Sequence, residues 1–299
     1  MSDDKQSSLP GGKLPEGFPT PQGEVTVEEI TVEKLKELQE EQRKRAAAGA
    51  AAAASAKATF SFPLHARYLH YSLSALPPPY VSLDTNRLTL AHFCVQSLSV
   101  LQDPRLFHPA KGKEVRGRMV KWILNLMVTK PSGDGKPTCV GFTGGTWQGL
   151  PYVDRLSCAA AAALSTTIQP TIHLAMTYCA LLTLMTLGHP LTGIDCEAVM
   201  EGVKSLQNLD KEHPLYGSFK SHDHGSEADM RFVYCAVCIE LVTWKILHPG
   251  VAYDGADSTY IDKEALKTYV KRCKCYDGGL SLLPGHESHG GSYFTGLAR

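Results

Sequence analysis

Seven stretches of helical length constrain the fold more than anything else in this chain. They fall near residues 61–75, 85–102, 113–128, 171–187, 195–207, 228–247 and 262–274. Each carries apolar residues at a 3.6-residue period, and clusters of Gly, Pro and Asp separate them. No strand-like alternation competes, so the sequence predicts an all-α fold. Segments 88–101 and 174–187 are apolar nearly all round, whereas 113–128 and 262–274 carry Lys and Arg on one side. Fully apolar helices are expected inside and amphipathic ones outside, which predicts a two-layer, double-ring α/α arrangement. A weak repeat agrees: Gly141-Phe142-Thr143-Gly144-Gly145, Tyr216-Gly217-Ser218-Phe219 and Tyr276-Asp277-Gly278-Gly279-Leu280 each stand between helices. By itself this repeat reads first as simple tight turns between helices.

Residues 1–60 read differently. The first 23 are rich in Ser, Gly, Pro and charge and are expected to be disordered. A charged helix is expected from Thr26, with Glu29 at capping-box spacing, through Leu35 and Leu38 into the alanine run 46–54. The division is therefore a tail over 1–60 and a helical domain over 61–299. Thirty basic and thirty acidic residues cancel, so net charge favours neither nucleic acid nor an anionic membrane as partner. Nine cysteines, an odd number and mostly inside apolar runs, suit reduced thiols and a cytoplasmic location. The start, Met1-Ser2-Asp3-Asp4, has no apolar leader. The most apolar run, Leu174–Leu187, falls short of the roughly 20 residues of a membrane span.

Two stretches could carry chemistry. His289-Gly290-Gly291 at an expected helix start offers an imidazole beside exposed backbone N–H groups, a cradle suited to a phosphate or diphosphate. His286 and His289 form an H-x-x-H pair, but Glu287 and Ser288 complete no known ligand set. In Glu227-Ala228-Asp229-Met230-Arg231 the carboxylates suit the first turn of a helix, and Arg231 leads into an apolar run. Arg231 either pairs with a carboxylate of its own chain or recognises an anionic group in a cavity. Lys220–His224 reads as a solvated loop. Cys235 and Cys238 stand as C-x-x-C inside an apolar helix and read as core. There is no GxSxG, P-loop, HExxH or GxGxxG motif.

Five ordered blocks then carry a resemblance: Ser82-Leu-Asp-Thr-Asn-Arg-Leu-Thr-Leu-Ala-His-Phe93, Cys139-Val-Gly-Phe-Thr-Gly-Gly-Thr-Trp-Gln-Gly-Leu-Pro151, His173-Leu-Ala-Met-Thr-Tyr178, Gly225-Ser-Glu-Ala-Asp-Met-Arg-Phe-Val-Tyr-Cys-Ala236 and Glu287-Ser-His-Gly-Gly-Ser292. Across residues 62–298 the chain resembles the β-subunit family of protein prenyltransferases, in its geranylgeranyltransferase type I wording. The resemblance implies an α/α toroid of six inner and six outer helices. It implies transfer of a 20-carbon isoprenoid from geranylgeranyl diphosphate to the cysteine thiolate of C-terminal CaaX sequences, as on small GTPases. It also implies a heterodimer with an α subunit, and Zn2+.

By the same resemblance, His289, Gly290 and Gly291 contact the isoprenoid diphosphate, and Arg231 and Tyr234 face the peptide. Thr89 stands where the farnesyl enzyme has Trp, leaving room for the longer lipid. After the His-Gly-Gly block the family continues with an Arg/Lys cluster, an Asp-x-Cys pair and a distant His. Here eight residues follow Gly291 and no Asp-x-Cys occurs. The expected zinc ligands thus lie beyond Arg299, and the barrel is expected to be incomplete and this chain alone inactive. Gln169-Pro170-Thr171-Ile172 replaces the family's Asp-x-Gly before His173. Alternatives are a farnesyltransferase β subunit, a truncated non-catalytic binding product, or a helical-repeat scaffold.

Overall fold

The computed structural model describes residues 60–131, 137–145, 171–225, 227–253 and 260–297, together with Glu40 and Lys44. The chain divides into two compact units, Met1–Phe60 and Ser61–Arg299. Of the first unit, Glu40 and Lys44 are helical and form an i,i+4 ion pair at 3.5 Å. The expected disorder over 1–23, the cap at Thr26 and the alanine run lie outside the described residues.

The second unit is a succession of helices. α1 (Phe62–Ser74) leads through a 3-10 segment (Pro78–Asn86) into α2 (Arg87–Val100). Then come the single turn α3 (Pro104–Phe107), α4 (Lys113–Asn125), α5 (Leu174–Thr186), α6 (Cys196–Ser205), α7 (Met230–Leu247), α8 (Lys263–Arg272) and α9 (Gly290–Leu297). Aspartate sets several of the starts. Asp195 and Asp262 each accept the backbone N–H three residues on, at 2.9 Å. Asp103, before Pro104, accepts from Arg105 at 3.0 Å and Leu106 at 3.3 Å. Each such cap satisfies an orphan donor and is worth about 1 kcal/mol.

α2, α5, α7 and α9 pack one against the next, while α1 lies on α2, α4 on α5, and α6 on α7. Burial follows the apolar patterning. Eight residues of α5 are buried, including Leu174, Leu181 and Leu184, whereas α8 buries only Ala265 and Tyr269. The inner and outer layers expected from the sequence are thus present.

The expectation of no strands is corrected. α4 stops at Asn125, and Met127–Pro131 (β1) pairs antiparallel with Pro137–Phe142 (β2), Met127 opposite Phe142 and Val128 opposite Gly141. Val128, Val140 and Phe142 are buried, and α6 packs against β2. The alternation of buried and outward residues is only one or two cycles long, too short to be heard against the helical pattern on either side.

The glycine-rich repeat has a structural meaning. In each copy an outer helix ends and a return segment pairs back, Met127 with Phe142, Gln207 with Phe219 and Lys274 with Leu280, and in the second and third copies the chain turns at Gly217 and Gly278, both with positive φ. Two residues past each of Phe142, Phe219 and Leu280, a backbone carbonyl accepts an N–H from the start of the preceding inner helix. Leu88 N–H donates to Gly144 at 2.8 Å, Leu174 to Ser221 at 2.8 Å and Met230 to Leu282 at 3.2 Å. Every such bond removes one unsatisfied helix-start donor and ties neighbouring repeats together. Glycine is required where these backbones touch, since a Cβ at Gly144 would lie 1.9 Å from the Thr85 carbonyl oxygen. Gly217 combines φ +87° with a Cβ position 1.9 Å from the Ala265 carbonyl oxygen.

Candidate functional site

The residues preceding three inner helices are His173, Asp229 and His289, so the starts of α5, α7 and α9 carry the polar groups of the site. Segment 280–282 bonds both Met230 and His289, through the carbonyls of Leu282 and Leu280, and so holds the starts of α7 and α9 side by side.

At α9, His289 caps its own helix. Its Nδ1 accepts from the Gly291 N–H at 3.1 Å, which leaves the proton of a neutral ring on Nε2. The exposed ring therefore presents an N–H donor at the helix start beside Gly290, where the helix dipole favours an anion, while the Gly291 N–H is taken by the cap. A Cβ at Gly290 would meet nothing, whereas one at Gly291 would come within 3.0 Å of the His289 ring.

At α7, Asp229 is buried and accepts the Arg231 N–H at 2.8 Å. Its carboxylate also holds the guanidinium, Nε at 3.1 and 3.2 Å and Nη2 at 2.6 Å, while Nη2 makes a second ion pair with Glu227. The bonds from Asp229, and then those from Glu227, hold the guanidinium proton above its ordinary range despite desolvation. The two readings of Arg231 meet here. It is paired within its own chain, but Glu227 is exposed and so is the partner an incoming carboxylate could replace.

At α5, the ring of His173 stacks on His222 at 5.8 Å and lies 6.1 Å from Phe232. Burial, and then His222, lowers its pKa to about 4, against an opposing pull from Glu227. It is a neutral ring with a buried Nδ1 that has no hydrogen-bond partner among the described residues. The solvated-loop expectation for Lys220–His224 is corrected: His222 is half-buried, its Nδ1 faces Ser221 Oγ at 2.9 Å, and Asp223 is ion-paired with Lys130. The loop is held because Ser221 is stitched to both Leu174 and Glu227.

Along the inner helices runs a band of rings, one from each. His92 (α2) meets Tyr178 (α5) at 5.7 Å, Tyr178 meets Tyr234 (α7) at 5.6 Å, and Tyr234 meets Phe294 (α9) at 5.9 Å. Burial, and then the bond to Tyr234, pushes the Tyr178 phenol well above its ordinary value. Tyr234 is thus brought to the band, one turn past Arg231. Thr89 lies one turn before His92, its Oγ1 3.2 Å from Met176 Sδ and 3.9 Å from Cys179 Sγ. Sequence reasoning singled out Tyr234 but missed Tyr178, His92 and Phe294, because the band takes one residue from each of four distant segments.

Among the described residues no three His, Cys, Asp or Glu side chains gather to hold a metal. These residues do not fit a zinc ion, and the His286–His289 pair is exposed with no third ligand. The eight described cysteines are free thiols, most of them buried, including Cys235 of the C-x-x-C. No helix among the described residues is long and apolar enough to cross a membrane.

The chain is 32% identical over 247 residues to the geranylgeranyl transferase type-1 subunit beta of Arabidopsis thaliana, covering 81% of this chain and 56% of that protein. It is 28% identical over 245 residues to the protein farnesyltransferase subunit beta of Schizosaccharomyces pombe, covering 80% and 49%. The chain therefore spans about half the length of these relatives. It shares a fold with the solved Candida albicans protein geranylgeranyltransferase-I complexed with GGPP, at TM-score 0.59 and 20% identity, over 80% of this chain and 58% of that one. Residues 60–299 match the family model of the prenyltransferase alpha-alpha toroid domain, and the chain belongs to that family.

Proposed function

We propose that this chain is part of the β subunit of a protein geranylgeranyltransferase type I. In this reading the whole protein, with an α subunit and Zn2+, transfers a geranylgeranyl group from geranylgeranyl diphosphate to the cysteine of CaaX-ended proteins such as small GTPases, in the cytoplasm. The observation that carries it is the helix start at α9. An Nε2–H donor from His289, its ring fixed by the bond from the Gly291 N–H to Nδ1, stands at the start of α9 five residues before Phe294 joins the aromatic band. N–H donors at one end of an apolar, ring-lined surface suit a ligand with an anionic diphosphate head and an isoprenoid tail. The described residues form no zinc site, so their roles are to bind and orient. His289 and the glycines hold the diphosphate, the band holds the tail, and Arg231 with Tyr234 receives the peptide end.

Thr89 favours the 20-carbon lipid over the 15-carbon one, because its side chain is much smaller than the Trp that the farnesyl enzyme carries at this position. The test is equilibrium binding of geranylgeranyl and farnesyl diphosphate to the chain co-expressed with an α subunit. The longer lipid is expected to bind more tightly. Thr89→Trp should invert that preference, and His289→Ala should weaken both lipids by about tenfold, or ~1.4 kcal/mol. Equal affinities that ignore Thr89→Trp would point to a farnesyltransferase subunit or a lipid-indifferent scaffold.

A further inference from the structure

The outer surface of α1 carries exposed apolar and aromatic side chains together with a cation. Leu64, Arg67, Tyr68 and Tyr71 stand at i, i+3, i+4 and i+7, the spacing of a single helical stripe, yet this stripe faces away from the buried Ala66. Leu64, Tyr68 and Tyr71 are each more than half exposed. Beside the stripe, on the Ala66 side of α1, a cleft of about 460 Å³ opens between α1, the end of α2 and α3, lined by Ala66, Arg67, Leu101, Arg105 and the buried carboxylate of Asp103 among others. Arg67 has no ion-pair partner among the described residues, while Arg105 bonds Asp103 at 3.3 Å.

Charge is segregated to the same part of the chain. Residues 60–122 hold eight Lys and Arg against three Asp and Glu, a net of +5 in a chain whose total is zero. Lys111, Lys113, Arg118 and Lys121 are exposed on α4 and the turn before it.

We propose that this α1–α4 face is a docking surface for an anionic phospholipid bilayer. Arg67, within the stripe, meets a headgroup phosphate, and Leu64, Tyr68 and Tyr71 enter the interfacial layer. A stripe of aliphatic and tyrosine side chains flanked by Arg and Lys is the composition that settles at the lipid–water boundary. The surplus positive charge complements acidic headgroups, each cation adding attraction that salt screens. None of these residues belongs to the site at α5, α7 and α9, so the inference stands apart from the transferase reading.

The test is flotation of the full 299-residue chain with vesicles. Vesicles of phosphatidylcholine with phosphatidylserine are expected to retain it. Vesicles of phosphatidylcholine alone, or with a cationic lipid, are not, and 0.5 M salt should release it. Arg67→Glu, which breaks no ion pair among the described residues, should lower retention by roughly tenfold. Leu64→Ser with Tyr71→Ser should lower it without changing its salt dependence. Equal retention on neutral and acidic vesicles, or an Arg67→Glu variant that is folded by circular dichroism yet binds as before, overturns the proposal. So does capture by polyglutamate beads without any vesicle binding, which would mark the face as a site for an acidic protein.

Discussion

The polar residues at the inner-helix starts differ in what each one does for stability and binding. His173 has a pKa lowered to about 4 from an ordinary 6.5, with burial the largest cause. A folded state that binds its proton less readily than the unfolded chain loses stability as pH falls from about 6.5 towards 4, and the loss levels off below that. The full effect is at most about 3 kcal/mol, so His173→Gln should flatten the pH dependence of urea unfolding between pH 6.5 and 4. Asp229, buried and bonded to both the Arg231 backbone and its guanidinium, should cost about 2 to 3 kcal/mol as Asp229→Asn. Glu227→Gln, at an exposed partner, should cost under about 0.5 kcal/mol in the same titration. The difference between those two carboxylates was not legible in the sequence, where both simply suit a first helical turn. The position of His289 before a helix start was legible, because the two glycines after it follow a break in the apolar pattern. The His173–His222 stack was not, since the two rings stand 49 positions apart in the chain.

At the scale of elements, the sequence announced helices well because helix length and period repeat over three or four turns. The all-apolar run 174–187 became α5, and its burial makes a direct prediction. Leu181→Ala, on a side chain with essentially no exposure, should destabilise the chain by about 3 kcal/mol. Val100→Ser, at the exposed end of α2, should change stability by less than about 0.5 kcal/mol. Both are read from denaturant midpoints at unchanged slope. The hairpin β1–β2 escaped notice for the opposite reason: one pair of buried valines and a phenylalanine does not make a recognisable period. Its partner is a helix 54 residues further on, α6, and contacts of that separation leave no local signal.

At the scale of the whole unit, the repeat is held together by backbone bonds that each cross from one copy to the next. The start of α2 depends on Gly144, the start of α5 on Ser221 and the start of α7 on Leu282. Stability in such an array is a sum of repeat and neighbour terms, so damage in one copy should be felt first by the copy it caps. Gly217 provides the test. Its positive φ and its contact with the Ala265 carbonyl exclude a side chain, and Gly217 N–H also donates to Asn208 at 2.7 Å. Gly217→Val should therefore displace the turn that carries Phe219 and Ser221. Hydrogen exchange should then show the Leu174 amide losing protection by at least tenfold, together with α6 and α8, whose residues frame the turn. The Leu88 amide, capped by Gly144 in the preceding repeat, should keep most of its protection. If Leu88 and Leu174 lose protection in equal measure, the unit unfolds as one block and the carbonyl bonds are consequences of packing. If Leu174 alone responds, those bonds transmit the order of each repeat to the helix start before it, and the polar groups at α5, α7 and α9 owe their alignment to them.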